Sequence, residues 1–181
     1  IKIESPNGDF MRQALDVERN GVSGMFSMLN RNKRSIVIDL STEEGKSLFK
    51  EMLVSADVVV ENFRPGVMDR LGLDYESMKN INPRIIYASI NGVGQSGPYA
   101  KRRVYDAIIQ AISGVATLQS DPSKEQPIMV NTLICDKLTS LVSAQAISSA
   151  LYNRSQTGLG QRIDVAMLDA ALFFLWPDNM R

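Results

Sequence analysis

Histidine is absent from this sequence, cysteine occurs once, and twenty Lys and Arg side chains are cancelled by twenty Asp and Glu. Each shortage excludes a class of function. Without His, neither a Cys/His metal centre nor a His-based catalytic triad can be assembled from these residues. One Cys makes no internal disulfide. Cys135 also has no His to activate it, so it is expected to pack as a small apolar residue. Balanced charge removes the positive field that a general nucleic-acid binder needs, and no nucleic-acid partner is expected. No run approaches the length of a membrane span, and no charged leader with an apolar core and cleavage site is visible. The expectation is a cytoplasmic protein with no membrane partner.

What is present is an ordinary globular composition, 44% hydrophobic over 181 residues, enough for one fair-sized domain. The start, Ile1-Lys2-Ile3-Glu4, reads as the end of a strand with nothing before it, so truncation is expected. Residues 5–30 give no clear pattern beyond the turn Ser5-Pro6-Asn7-Gly8-Asp9. Ser35 to Leu40 is β-rich, Ser41 and Glu44 have capping-box spacing, and Leu48, Phe49, Met52, Leu53 and Ala56 form a helical stripe. Val58-Val59-Val60 follows as a buried strand. This order predicts a crossover joining the 35–40 and 58–60 strands as a parallel pair. Asp74 is expected to cap a short helix that ends at Pro83, and Arg84 to Ile90 reads as a strand. A helix from Asp106 to Val115, a strand over 127–135, a long helix over 138–154, a strand over 161–165 and a helix over 168–175 complete the alternation. The class is α/β, with a Rossmann-like, mainly parallel sheet and flanking helices. The long helix lacks a single apolar stripe and is expected to be buried on several sides.

Asp136 lies where the expected 127–135 strand gives way to that helix. It is read either as an N-cap or as a functional carboxylate, because the helix amino end favours negative charge and ligands bind beyond the strand ends of parallel sheets. Three loops, Glu61 to Gly66, Asn91 to Gly97 and Cys135 to Lys137, are expected on that one edge. Gly92, Gly94 and Gly97 match a dinucleotide fingerprint in spacing only, since Pro98-Tyr99-Ala100 follows where a helix should open. Basic residues recur beside these loops, with Arg64, Arg70 and Lys101-Arg102-Arg103 joining Arg31, Lys33 and Arg34. They suit either solvated surface or a ligand with several phosphates. Tyr105 reads as a core aromatic, with a pocket-lining role as the alternative.

As a set, Asn30 to Leu40, Glu61-Asn62-Phe63-Arg64-Pro65-Gly66, Gly92 to Pro98, Tyr105-Asp106, and Thr157-Gly158-Leu159-Gly160-Gln161 with Asp164 and Asp169 resemble the class III CoA-transferases. The family includes formyl-CoA and carnitine CoA-transferases and α-methylacyl-CoA racemase. The resemblance implies a partial Rossmann-like large domain over 1–181, without the first strand and helix and without the small domain. It implies an interlaced homodimer, and coenzyme A or acyl-CoA as substrate with a carboxylate acceptor and no tightly bound cofactor. It also implies a covalent aspartyl intermediate, with Asp136 as the nucleophile. Arg64, Arg70 and Arg103 match basic or polar contacts to CoA, Asn62 and Gly94 lie in the same loops, and Tyr105 matches a residue lining the acyl pocket. Ser5 stands where family members often carry a basic residue beside the adenine. Two alternatives accompany transfer: racemisation α to the thioester, which in that branch uses a His where Tyr105 stands, and a noncatalytic CoA-binding or assembly role.

Overall fold

The computed structural model describes residues 1–14, 18, 19, 21–121, 123 and 126–178. They form two compact units, Ile1–Val54 and Ser55–Arg181.

In the first unit, β1 (Lys2–Glu4) is followed by a 3-10 turn (Phe10–Arg12), β2 (Glu18–Arg19), β3 (Val22–Ser23), α1 (Gly24–Leu29), β4 (Ser35–Val37) and α2 (Glu43–Leu53). The strands β1 and β4 pair in parallel, with Lys2 opposite Ser35 and Glu4 opposite Val37, while β2 and β3 make a short antiparallel hairpin. Glu4 is the hub of this unit. Its carboxylate accepts Arg12 Nε and Nη2, each at 2.8 Å, the Asp9 amide at 3.0 Å and the Ser35 hydroxyl at 2.7 Å. The Arg12 guanidinium also lies 4.2 Å from the Phe26 ring centroid, so one buried acid ties β1, β4 and α1 together. Helix α2 is capped by Thr42, whose hydroxyl accepts the Gly45 amide, and not by the Ser41–Glu44 box. Ser41 instead bonds the Asp39 carboxylate.

The second unit runs β5 (Val58–Glu61), α3 (Val67–Leu71), α4 (Tyr75–Ile81), β6 (Ile86–Asn91), α5 (Asp106–Ser113), α6 (Val115–Leu118), α7 (Ile134–Thr157), β7 (Gln161–Ala166) and α8 (Met167–Phe174). Its sheet has the order β5-β6-β7, all parallel, with Val58 opposite Ile86 and Ile86 opposite Gln161. The central strand β6 is buried along most of its length, as expected for a strand covered on both faces. Helix α7 packs on β6 and β7 and against α5 and α8. Asp74 caps α4 as the sequence predicts, accepting the Ser77 amide at 3.1 Å.

The α/β class with parallel pairing holds, and several further local expectations do not. The Val58-Val59-Val60 run is a strand but not a buried one, because among the described residues β5 has a partner on one side only and Val60 is 54% exposed. The 35–40 and 58–60 segments do not pair, because β4 takes β1 as its partner and β5 takes β6. Residues 127–133 form no strand. Their apolar, β-branched composition is met by other partners, with the Ile128 amide on Ala116 O and the Val130 amide on the Gln110 side chain. Asp136 is therefore the third residue of α7 and not its N-cap, a position held by Leu133 without any side-chain cap bond. Finally, α7 is buried along one stripe of small residues, Cys135, Thr139, Ser143 and Ala150, while Leu141 is 69% exposed. The absence of a long apolar stripe reflects close packing of small side chains on the sheet.

Candidate functional site

Two loops do leave the carboxyl edge of the parallel sheet as expected, one after β5 and one after β6. Asn62 ties the first to the end of β6 by donating Nδ2–H to Ile90 O at 2.7 Å. Glu61 fixes the loop start, since its carboxylate accepts the Phe63 amide at 2.7 Å and the Tyr87 hydroxyl at 3.3 Å. Burial, and then the Glu61 charge, push the Tyr87 phenol well above its ordinary pKa, so it remains a donor. Glu61, Arg64, Tyr87, Ser89, Gln95 and Arg162 line a shallow polar recess here. Arg64 and Arg70 are both exposed, with Arg70 on α3 beside the left-handed Gly66 turn.

The glycine loop is shaped by two requirements. Gly94 has φ of 96°, the left-handed region, and its amide donates to Asn91 Oδ1 at 2.5 Å. Gly92 has no room for a side chain, because a Cβ there would sit 1.8 Å from Val104 Cγ2. The loop then turns through 98–102 and reaches α5 only at Asp106, so no helix opens on the glycines and the fingerprint reading fails. Arg103 is exposed on this return segment. Tyr105, at the N-cap of α5, is 73% exposed and not a core aromatic: the helix begins by burying Asp106 in its place.

The third loop reaches the site by a different route from the one the sequence suggests. No strand delivers Cys135 to Lys137, which lie in the first turn of α7. Instead Ile109, Val115, Cys135, Ala171 and Leu175 form an apolar cluster, against which Val93 and Val104 from the glycine-loop side and Met167 and Leu168 from α8 pack. The Leu168 amide donates to Gly92 O at 2.9 Å, fastening α8 to the same loop. Cys135 is 1% exposed, and burial raises its thiol to about 11, with Asp106 and Asp136 adding to the shift. It is a packing residue and stays protonated near neutral pH.

Asp136, by contrast, is exposed. Packed protein on one side withholds water from its carboxyl, and this partial desolvation, followed by the Asp106 charge, holds its pKa above the ordinary carboxylate range. The Asp136 amide donates to Asp106 Oδ2 at 2.9 Å, and Asp106 is 3% exposed. Sequence reasoning missed this link, together with Gln110 and Gln95. An acidic residue and a Gln four positions apart on the apolar segment 106–115 were the available signal, since such a pair shares one helix face. Ile134, Cys135 and Leu138, neighbours of Asp136 in the chain, also line an apolar recess of about 220 Å³ with Val115, Phe174 and Leu175. Among the described residues no cluster of three His, Cys, Asp or Glu side chains is placed to hold a metal ion.

The arrangement therefore offers an accessible carboxylate in the first turn of a 24-residue helix, a glycine loop joined to the same packed cluster, and exposed cationic side chains on neighbouring segments. Residues 1–181 match the model of CoA-transferase family III. The acetyl-CoA:oxalate CoA-transferase of Acetobacter aceti is 44% identical over 175 residues, covering 97% of this chain and 45% of that protein. The succinate–glutarate CoA-transferase of Agrobacterium fabrum is 40% identical over 188 residues, covering 99% and 46%. A CaiB/BaiF family protein from Brucella suis superposes with a TM-score of 0.92 at 43% identity, covering 98% of this chain and 48% of its own. The chain thus spans about half the length of the relatives it matches.

Proposed function

The chain belongs to CoA-transferase family III, and from that premise we propose that it carries the nucleophile and part of the CoA site of an enzyme that moves CoA from an acyl-CoA to a carboxylic acid. In this reading residues 1–181 are part of the large domain of a homodimeric, cytoplasmic protein. CoA and acyl-CoA are substrates, and no resident cofactor takes part.

The step assigned to Asp136 is nucleophilic. Its carboxylate oxygen attacks the thioester carbonyl, the C–S bond breaks, and a mixed anhydride forms with release of CoA thiolate. The thiolate then attacks the aspartyl carbonyl, giving an aspartyl-CoA thioester and freeing the donor's carboxylate. An acceptor carboxylate attacks that thioester to form a second anhydride, and the released thiolate attacks the acceptor's carbonyl. The acceptor leaves as acyl-CoA and the Asp136 carboxylate is regenerated. A pKa above the ordinary range fits this role, because a more basic carboxylate is the better nucleophile once ionised.

The observation that carries the reading is the exposed Asp136 carboxylate in the first turn of α7, with its backbone held by buried Asp106. The positive end of the helix dipole at the start of α7 favours negative charge developing nearby. Exposed Arg64, Arg70 and Arg103 supply donors for CoA phosphates, with Asn62 and Gly94 shaping the loops between them and Tyr105 offered to the acyl group. Exposed Phe173, Phe174 and Trp176 provide apolar area of the kind a subunit interface buries. No helix among the described residues is long and apolar enough to cross a membrane. The relatives' names suggest short dicarboxylates, oxalate, succinate and glutarate, as acceptors to test first.

The test is an assay of the full-length protein with acetyl-CoA, formyl-CoA and succinyl-CoA against those acceptors, followed by new acyl-CoA on a mass spectrometer. Transfer that depends on Asp136 supports the reading. CoA binding without transfer across the panel would favour the noncatalytic alternative.

A further inference from the structure

Helix α7 begins without a side-chain cap of its own, yet its first turn carries the residue to which transfer is assigned. Free amides in a first helical turn need acceptors, and here the acceptor comes from another helix: Asp106 Oδ2 takes the Asp136 N–H at 2.9 Å. Asp106 is in turn fixed by Gln110, one helical turn along α5. The Gln110 Nε2 donates one N–H to Asp106 Oδ1 at 2.6 Å and shares the other between Val130 O at 3.3 Å and Thr132 O at 3.2 Å, while its Oε1 accepts the Val130 amide at 2.8 Å. Gln110 is 3% exposed. One buried carboxamide is thus bonded both to the carboxylate that holds the Asp136 amide and to the backbone segment that leads into α7.

We propose that Gln110 is a positioning residue for Asp136, and that its carboxamide, acting through Asp106 and through residues 130–132, sets where the Asp136 carboxylate meets the thioester; this rests on the nucleophile reading above. The chemistry of the surroundings requires an amide. Three acceptors face Nε2 and one donor faces Oε1, a pattern that ionised Glu inverts on the Nε2 side and that Met leaves wholly unanswered. Because Val130 O, Thr132 O and Asp106 Oδ1 are all fixed by this one group, its loss frees both the entry to α7 and the support beneath its first turn. A displacement of about 1 Å at a reacting group costs on the order of a hundredfold in rate.

The experiment uses the full-length protein and acetyl-CoA, with succinyl-CoA as a second donor. Quenched intact-mass time courses read the rate at which the aspartyl-CoA adduct forms, normalised to the fraction of molecules that are folded and bind CoA. For Gln110→Met and Gln110→Glu the expected result is a fall of roughly ten- to a hundredfold in that rate, with CoA affinity changed less than about twofold. A role in stability alone would lower the folded fraction and leave the normalised rate unchanged. The reversed pair, Asp106→Asn with Gln110→Glu, gives a second and independent readout. The carboxamide then at position 106 can donate to the new carboxylate at position 110 while its oxygen keeps the Asp136 amide, so the double variant is expected to form adduct faster than Gln110→Glu alone. That comparison carries the test if Gln110→Met does not fold. Asp136→Asn separates the two levels: full activity in that variant removes the nucleophile reading and the positioning role with it. An inactive Asp136→Asn beside wild-type normalised rates in the Gln110 variants, or a double variant no faster than Gln110→Glu, would overturn the positioning role alone.

Discussion

The buried carboxylate of Asp106 accepts the backbone N–H of Asp136 at 2.9 Å, so one acid holds the main chain of another at the start of α7. The same contact sets geometry and electrostatics together. It fixes the first turn of the helix, and it places a second negative charge where it raises the pKa of the Asp136 carboxyl.

A pH dependence follows with a definite sign. In the proposed mechanism transfer needs ionised Asp136, and desolvation and the Asp106 charge both raise its pKa, so rate is expected to be lost on acidification at a higher pH than an ordinary aspartate would allow. Asp106→Asn removes the charge and is expected to move the acid limb of the kcat/KM profile to lower pH. An unmoved limb would show that Asp106 does not act on Asp136 electrostatically.

The glycine loop offers a coupling test. Gly92→Ala would place a methyl 1.8 Å from Val104 Cγ2, so that variant is expected to lose roughly 1–3 kcal/mol of stability through overpacking and to bind CoA more weakly. Adding Val104→Ala removes the clashing methyl and should recover much of both losses. Thermal melts and CoA titrations of the two single variants and the double variant would read the coupling directly. Simple additivity would show that the contact does not shape the loop.

In the first unit, Glu4 predicts acid sensitivity. Hydrogen bonding from Arg12, and then from Ser35, lowers its pKa from an ordinary 4.5 to about 2, against the opposing effect of burial. A depressed carboxylate pKa stabilises the fold fully above the unfolded value, and the contribution is lost as pH falls from about 4.5 towards 2. The size is roughly 3 kcal/mol. Exchange of the Ile38 amide, which donates to Glu4 O at 2.9 Å, taken relative to its intrinsic rate at each pH, should accelerate in the wild type across that window. In Glu4→Gln it should already be fast at neutral pH.

Much of this architecture was legible in the sequence because local chemistry and tertiary context agree. The Val58-Val59-Val60 run, the Asp74 cap and the apolar segment opening at Asp106 each became the element their residues favour. The failures occurred where a distant partner decided the outcome. Residues 127–133 have the composition of a strand, but the Val130 amide is taken by a side chain twenty positions earlier, and no periodicity encodes that bond. Asp136 stood out from its place near a helix start, whereas Gln110 looked like an ordinary helical residue. Its importance comes from four bonds, three of them to backbone groups of residues 130–132. Tyr105 was misread because an aromatic suggests burial, while here the adjacent Asp106 is the buried side chain.

The measurement that bears most directly on the account is the mass of the full-length protein, quenched during turnover with acetyl-CoA and an oxalate acceptor and then digested. The account predicts a CoA-sized adduct on the peptide containing Asp136, absent in Asp136→Asn, with transfer in that variant reduced by at least about a thousandfold while CoA binding persists. An adduct on a different residue, or wild-type turnover by Asp136→Asn, would contradict it.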